Sequence, residues 1–220
     1  MQRQHQPESE GLTLYLSTDS PRDTTLTDSS GQVLYDVHTE CDNGTFTTHV
    51  SEGDVDLKAV EVARLRWTGV NLHAGTVTVA FREGQTLPVR EWLCKSKMPF
   101  NKDSVTFVDG EGRKYKWKRY ELYCEDDDYK QSIAAFHKSS VDESAKPPAP
   151  KEIRAMLKLS PRAEQVDDQV VCSFLFTEIE RRMKEGYLRD GDVRARVSAS
   201  SGYMNSGGSF GLLTATSTVM

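Results

Sequence analysis

The densest chemistry in the sequence is the run Arg113-Lys114-Tyr115-Lys116-Trp117-Lys118-Arg119-Tyr120. On an extended strand side chains alternate between faces, so Lys114, Lys116 and Lys118 share one side while Tyr115 and Trp117 point into a core. Three lysines in a row, with Arg119 after them, form a candidate site for an anionic headgroup or phosphate, each cation worth about 1 kcal/mol near a charged membrane. The competing reading is a solvated face whose lysines discourage pairing with other chains. Glu125-Asp126-Asp127-Asp128 follows closely and offsets the lysine charge. That acidic run lacks the alternation and the glycine of a calcium loop, so it reads as a solvated turn.

No other set of residues has the spacing of a reactive centre. Cys41, Cys94, Cys124 and Cys172 are isolated from one another, with no CxxC pair and no histidine at zinc-site spacing. They are expected to be free thiols, and no metal or cofactor is expected. His5, His38, His49, His73 and His137 show no HxxxH or HExxH pattern, and the chain has no phosphate-cradling glycine loop. No catalytic residue is therefore nominated. An enzyme would need groups brought together from distant parts of the chain.

Composition narrows the class further. The chain has 220 residues, a formal net charge of −5, 37% hydrophobic and 28% charged residues. Such a length suits one domain with some chain to spare. Mild acidity argues against a nucleic-acid partner, which would favour a basic surplus. No stretch reaches the roughly 20 apolar residues of a transmembrane helix. Met1 to Gly11 carries no apolar core of a signal peptide, so the expectation is an intracellular, cytoplasmic protein. Residues 1–11 are expected to form a disordered arm, residues 12–186 the folded domain, and the Ser/Gly/Thr-rich residues 187–220 a disordered tail in which Phe210, Leu212 and Leu213 are candidate partner anchors.

The elements that must position any site are mostly strands. From Leu12 to Leu159 short apolar-polar alternations are separated by turn chemistry: Ser20-Pro21-Arg22-Asp23, Asp28-Ser29-Ser30-Gly31, Asn43-Gly44 and Asp109-Gly110-Glu111-Gly112. The count is about a dozen strands, with Thr86 to Leu93 among them and Ser139 to Lys151 as an extended loop carrying Pro147, Pro148 and Pro150. Ser160-Pro161 then supplies an N-cap and a first-turn proline for one helix spanning 160–186. Its acidic residues come early, its basic residues Arg181, Arg182 and Lys184 come late, and Gly186 closes it. Val166, Val170, Val171, Phe174, Leu175, Phe176 and Ile179 make its middle apolar nearly all round. At about four turns, roughly 20 Å, the segment is too short for a bilayer. It must be surrounded by protein, and a closed strand barrel around a central helix is the expected fold. A helix in a sandwich or dimer interface is the alternative.

This order of elements resembles the superfamily of tubby C-terminal domains, plant LURP-one-related proteins and phospholipid scramblases. It is more closely similar to a fungal domain family of unknown function placed near it. The likeness is carried by Ser20 to Thr27, Gly31 to Tyr35, Ala63 to Trp67, Gly112 to Lys118 and Asp168 to Arg182. It implies the tubby-like barrel and carries over no catalytic residue. Tubby-like members bind phosphoinositides through basic residues outside the barrel, so the resemblance implies a non-enzymatic binding module for anionic phospholipid headgroups. A protein-interaction module using the barrel surface or tail is the other expectation.

Overall fold

The computed structural model describes residues 11–53, 59–69, 76–82, 84–96, 104–142 and 151–186. The expected N-terminal arm, apart from Gly11, the C-terminal tail and the three loop prolines lie outside them. Chain order begins with five strands, β1 (Thr13–Leu16), β2 (Thr24–Thr27), β3 (Val33–Asp42), β4 (Thr45–Glu52) and β5 (Val60–Trp67). After β6 (Thr78–Phe81) and β7 (Leu87–Pro88) comes a single helical turn, α1 (Val89–Trp92). The chain continues through β8 (Cys94–Lys95), β9 (Ser104–Val108), β10 (Lys114–Lys118), β11 (Glu121–Cys124) and β12 (Ser132–His137). Last come β13 (Ser140–Asp142), β14 (Lys151–Ile153), β15 (Met156–Leu159), α2 (Pro161–Glu164) and α3 (Asp167–Lys184).

Thirteen strands form one antiparallel sheet in the order β7-β6-β5-β4-β3-β2-β1-β15-β12-β11-β10-β9-β8, and β13 pairs with β14 as a separate ribbon. The turn chemistry explains much of the pairing. Asn43 and Gly44 both have positive φ, 49° and 78°, as a two-residue hairpin turn requires, and β3 pairs with β4 along eight positions. In the β9–β10 turn the buried Asp109 carboxylate accepts the backbone N–H groups of Glu111 and Arg113 at 2.9 Å, and the Tyr115 hydroxyl at 3.0 Å. Arg22, from the first turn, lies over the stacked rings of Phe46 and Trp67. Its backbone carbonyl accepts the Thr39 hydroxyl at 2.8 Å.

The expected closed barrel is not what forms. The sheet is open, and its edges are β7 and β8, each two residues long. Pro88 has no N–H to donate, and such short edges give no ladder to pair. The segment Thr86 to Leu93, expected as one strand, instead turns into α1 at Val89. There α1 contacts β7, β8 and β9 and buries Val89, Trp92 and Leu93. The two edges are thus linked by one helical turn.

The helix expected as one element is two. Ser160 caps α2, its hydroxyl accepting the Ala163 N–H at 3.4 Å, and the chain breaks at Gln165–Val166 before α3 begins. Every residue from Val170 to Phe176 is buried, and at 100° per residue seven consecutive positions cover all directions around the axis. The sheet therefore wraps α3 without closing on itself. Phe174 packs on Phe136 of β12 at 4.5 Å between ring centres, Phe176 meets Trp92 of α1, and Trp117 of β10 donates its indole N–H to Ser173 at 2.9 Å. Burying each large side chain of this kind stabilises the fold by about 1.5–3 kcal/mol. Val166 is only partly buried, at the break. Gly186, at φ 74°, ends the helix with its N–H on the Met183 carbonyl.

Candidate functional site

On β10 the alternation places Tyr115 and Trp117 in the core and Lys114, Lys116 and Lys118 on the outside. The charges there have company. Lys114 lies 3.3 Å from the Glu125 carboxylate, and the Lys118 ammonium sits 4.3 Å from the centre of the Tyr123 ring and 5.8 Å from that of Tyr129. The row is an exposed strand face beside an acidic turn, and no cavity among those described includes it.

Arg119 parts from the three lysines. It occupies the first position of the two-residue turn between β10 and β11, where Lys118 pairs with Glu121, and its φ is +60°. Positive φ at that position belongs to a turn type that favours glycine, because a Cβ there crowds the backbone. The turn is pinned by the Phe136 N–H, which donates to the Tyr120 carbonyl at 2.8 Å. It places Arg119 on a cleft of about 420 Å³ at the C-terminal end of α3. Lys95 of β8, Val105 of β9, Tyr120 and the α3 residues Thr177, Glu180, Arg181 and Lys184 line it, with Glu185 at the rim.

The charges in this cleft are layered. Glu178 and Glu180 are buried near the helix end, where the dipole disfavours carboxylates. Each is held by cations. Glu178 accepts two hydrogen bonds from Arg181, at 2.5 and 2.7 Å, and one from Arg182 at 2.7 Å. Arg181 also pairs with Glu185, and these carboxylates, the Glu178 hydrogen bond foremost, hold its guanidinium well above its usual range. Glu180 takes Lys95 at 2.5 Å and Lys184 at 3.1 Å. Burial pulls the Lys95 ammonium below the usual lysine range, against the pull of Glu180. Four cationic side chains face two carboxylates around the opening. Arg119 is exposed and has no hydrogen bond or ion pair among the described residues. The Thr177 hydroxyl oxygen is buried and also lacks a partner there.

The structure thus separates the four nominated cations into a lysine face and one arginine in a cleft. The sequence reading passed over Lys95, Thr177, Glu178, Glu180 and Glu185. A signal existed for two of them: carboxylates at 178 and 180 oppose the helix dipole in its last turns and so need cations from elsewhere. Lys95, on a two-residue strand, gave no such sign. Among the described residues no group of three or more His, Cys, Asp or Glu side chains is placed to hold a metal ion.

Fold and site together define a mainly β protein whose long helix is wrapped by the sheet and ends in an electropositive cleft. The chain belongs to the family of unknown function DUF6593, whose model matches residues 19–183. No curated protein matches it. The X-ray structure of a protein from Arabidopsis thaliana is similar at 11% identity and a TM-score of 0.27, covering 74% of this chain and 89% of that one. No described helix is long and apolar enough to cross a membrane.

Proposed function

We propose that this chain is a non-enzymatic binding module that acts inside the cell and holds an anionic group, foremost a phospholipid headgroup, in the cleft at the end of α3. The observation that carries this reading is Arg119, a guanidinium without a partner among the described residues, in a backbone conformation that glycine would adopt at less cost. Strain of that kind is retained where a side chain is needed in place. Lys95 and Lys184 on one wall and the Thr177 hydroxyl on another supply charge and hydrogen bonding for a phosphate. The four cysteines are free, as in a reducing compartment. We also read the wrapped α3 as a variant, opened at β7 and β8, of the tubby-like arrangement that the fungal resemblance implies.

The test is co-sedimentation with liposomes with and without phosphoinositides. Arg119→Ala abolishes binding, whereas the Lys114, Lys116 and Lys118 triple alanine variant retains most of it. The reverse pattern returns the site to the lysine face, and no binding by the unaltered chain overturns the lipid reading. A protein partner is the second reading, favoured by the β13–β14 ribbon, where Val141 is 56% and Ile153 37% exposed. If that ribbon is a docking surface, Val141→Ser with Ile153→Ser removes partner capture and leaves liposome binding intact.

A further inference from the structure

A second cavity, of about 430 Å³, lies away from the α3 cleft, on the exposed face of β3, β4 and β5. Its lining sorts by strand. Glu40 and Asp42 stand on β3; Thr45, Thr47 and His49 on β4; Arg64 and Arg66 on β5. The register sets these into rows: Glu40 pairs with Thr47, which pairs with Arg66, and His38 pairs with His49, which pairs with Arg64. An acidic wall and a basic wall therefore face each other across a neutral strand, about 10 Å apart at the backbone from two strand spacings.

Half of this charge is satisfied internally. The Glu61 carboxylate lies 2.6 Å from His49 Nδ1 and receives Arg64 at 2.8 and 3.2 Å. Burial raises the Glu61 carboxyl, but the bonds from His49 and Arg64 outweigh it and hold the group below the usual carboxylate range, fixing it as an anion. Arg64 is thereby neutralised. Among the described residues Glu40 pairs only with the far imidazole nitrogen of His49, at 3.4 Å. Arg66 and Asp42 have no partner among the described residues, and they do not pair with each other although both line the cavity. Among the described residues, a cation and an anion without partners are thus held on separate strands, with Thr45 and Thr47 on the strand between them.

We propose that this cavity binds a small dipolar molecule, an ammonium group a few bonds from a phosphate or carboxylate, with its anion on Arg66 and its cation on Asp42 and Glu40. A ligand with one charge leaves one wall unanswered, and a ligand with both answers the two at once. The source is either a free phosphoalkylamine or the same headgroup on a lipid. This site shares no residue with the α3 cleft, so either proposal stands if the other fails.

The experiment titrates the full chain with phosphoethanolamine by NMR or calorimetry, with ethanolamine and inorganic phosphate as controls. Saturable binding is expected, with each control about tenfold weaker or worse, because each forgoes one charge-assisted contact. Arg66→Ala and Asp42→Ala each weaken it by about tenfold, the same single-contact loss, while Arg119→Ala leaves it unchanged. Both altered side chains are exposed, and unchanged circular dichroism confirms that the variants fold. Co-sedimentation with phosphatidylethanolamine vesicles supports the headgroup as the source, and soluble binding without co-sedimentation supports the free molecule. Equal affinity for phosphate alone, no effect of either variant, or no saturable binding overturns the proposal.

Discussion

The two ends of α3 solve the same problem in opposite ways. At each end an arginine with positive φ reaches toward the helix terminus: Arg82, at 29°, near the start and Arg119, at 60°, near the finish. Arg82 is fully engaged, its guanidinium 2.8 Å from both Asp168 and Glu52, while the Tyr35 hydroxyl donates to Asp168 at 3.0 Å. Acidic residues suit the helix start, so this end closes on itself. At the far end, buried Glu178 and Glu180 engage Arg181, Arg182, Lys95 and Lys184, and Arg119 has no carboxylate among the described residues. Strain at Arg82 is compensated by two ion pairs. Strain at Arg119 has no such compensation within the described fold, and that difference separates a structural terminus from a candidate binding one.

Four variants test this contrast. Glu178→Ala gives the largest effect: its side chain is 3% exposed, and losing it removes the buried carboxylate shared by Arg181 and Arg182, leaving them Glu185 and Asp19 respectively. A loss of about 3 kcal/mol in denaturant unfolding is expected, the low end for a buried ion pair broken from one side, because each arginine keeps a second carboxylate. Asp168→Ala, at the closed end, is expected to cost about 1–3 kcal/mol, because its carboxylate is 29% exposed and water can take over part of its role. It leaves liposome binding unchanged. An equal loss of binding would remove the functional distinction between the ends.

How far the sequence anticipates this site depends on the range of the interactions. Ser160-Pro161, Asn43-Gly44 and the alternation Lys114 to Lys118 are local signals, set by sterics and hydrogen bonds within a few residues, and each matches the structure. The meeting of Lys95, Arg119 and Glu180 depends on strands far apart in the chain falling beside one helix end. No local rule encodes that. Likewise the alternation in Thr86 to Leu93 suggests a strand, but Val89, Trp92 and Leu93 are buried by the turn of α1. Tertiary packing overrides a weak local preference there.

Arg119→Gly sharpens the comparison most directly. It relieves the positive φ and removes the cation, so stability is expected to hold or rise by up to about 1 kcal/mol while anion binding is lost. Loss of stability instead would make Arg119 a structural residue. The smallest effect is Asp167→Asn. Burial raises the Asp167 carboxyl above its ordinary 3.8, so the folded protein holds that proton more tightly than the unfolded chain. Stability from that group is present below pH 3.8 and lost as pH rises through the folded value. The substituted amide cannot ionise, so a slightly higher melting temperature than wild type is expected at neutral pH. The gain disappears in acid, as thermal melts across pH will show.

By itself the sequence determined a mainly β chain and a helix too apolar to face water on any side, because side-chain periodicity and burial are properties of neighbouring residues. It also determined the charge order along α3. Only the tertiary structure decided that the sheet wraps this helix without closing, since closure depends on whether the two edge strands can pair, and Pro88 and their short length prevent it. Tertiary structure also took Arg119 from the lysine row into the cleft. The turn reversed the chain after Lys118, and the cavity was made by residues that share no segment of sequence.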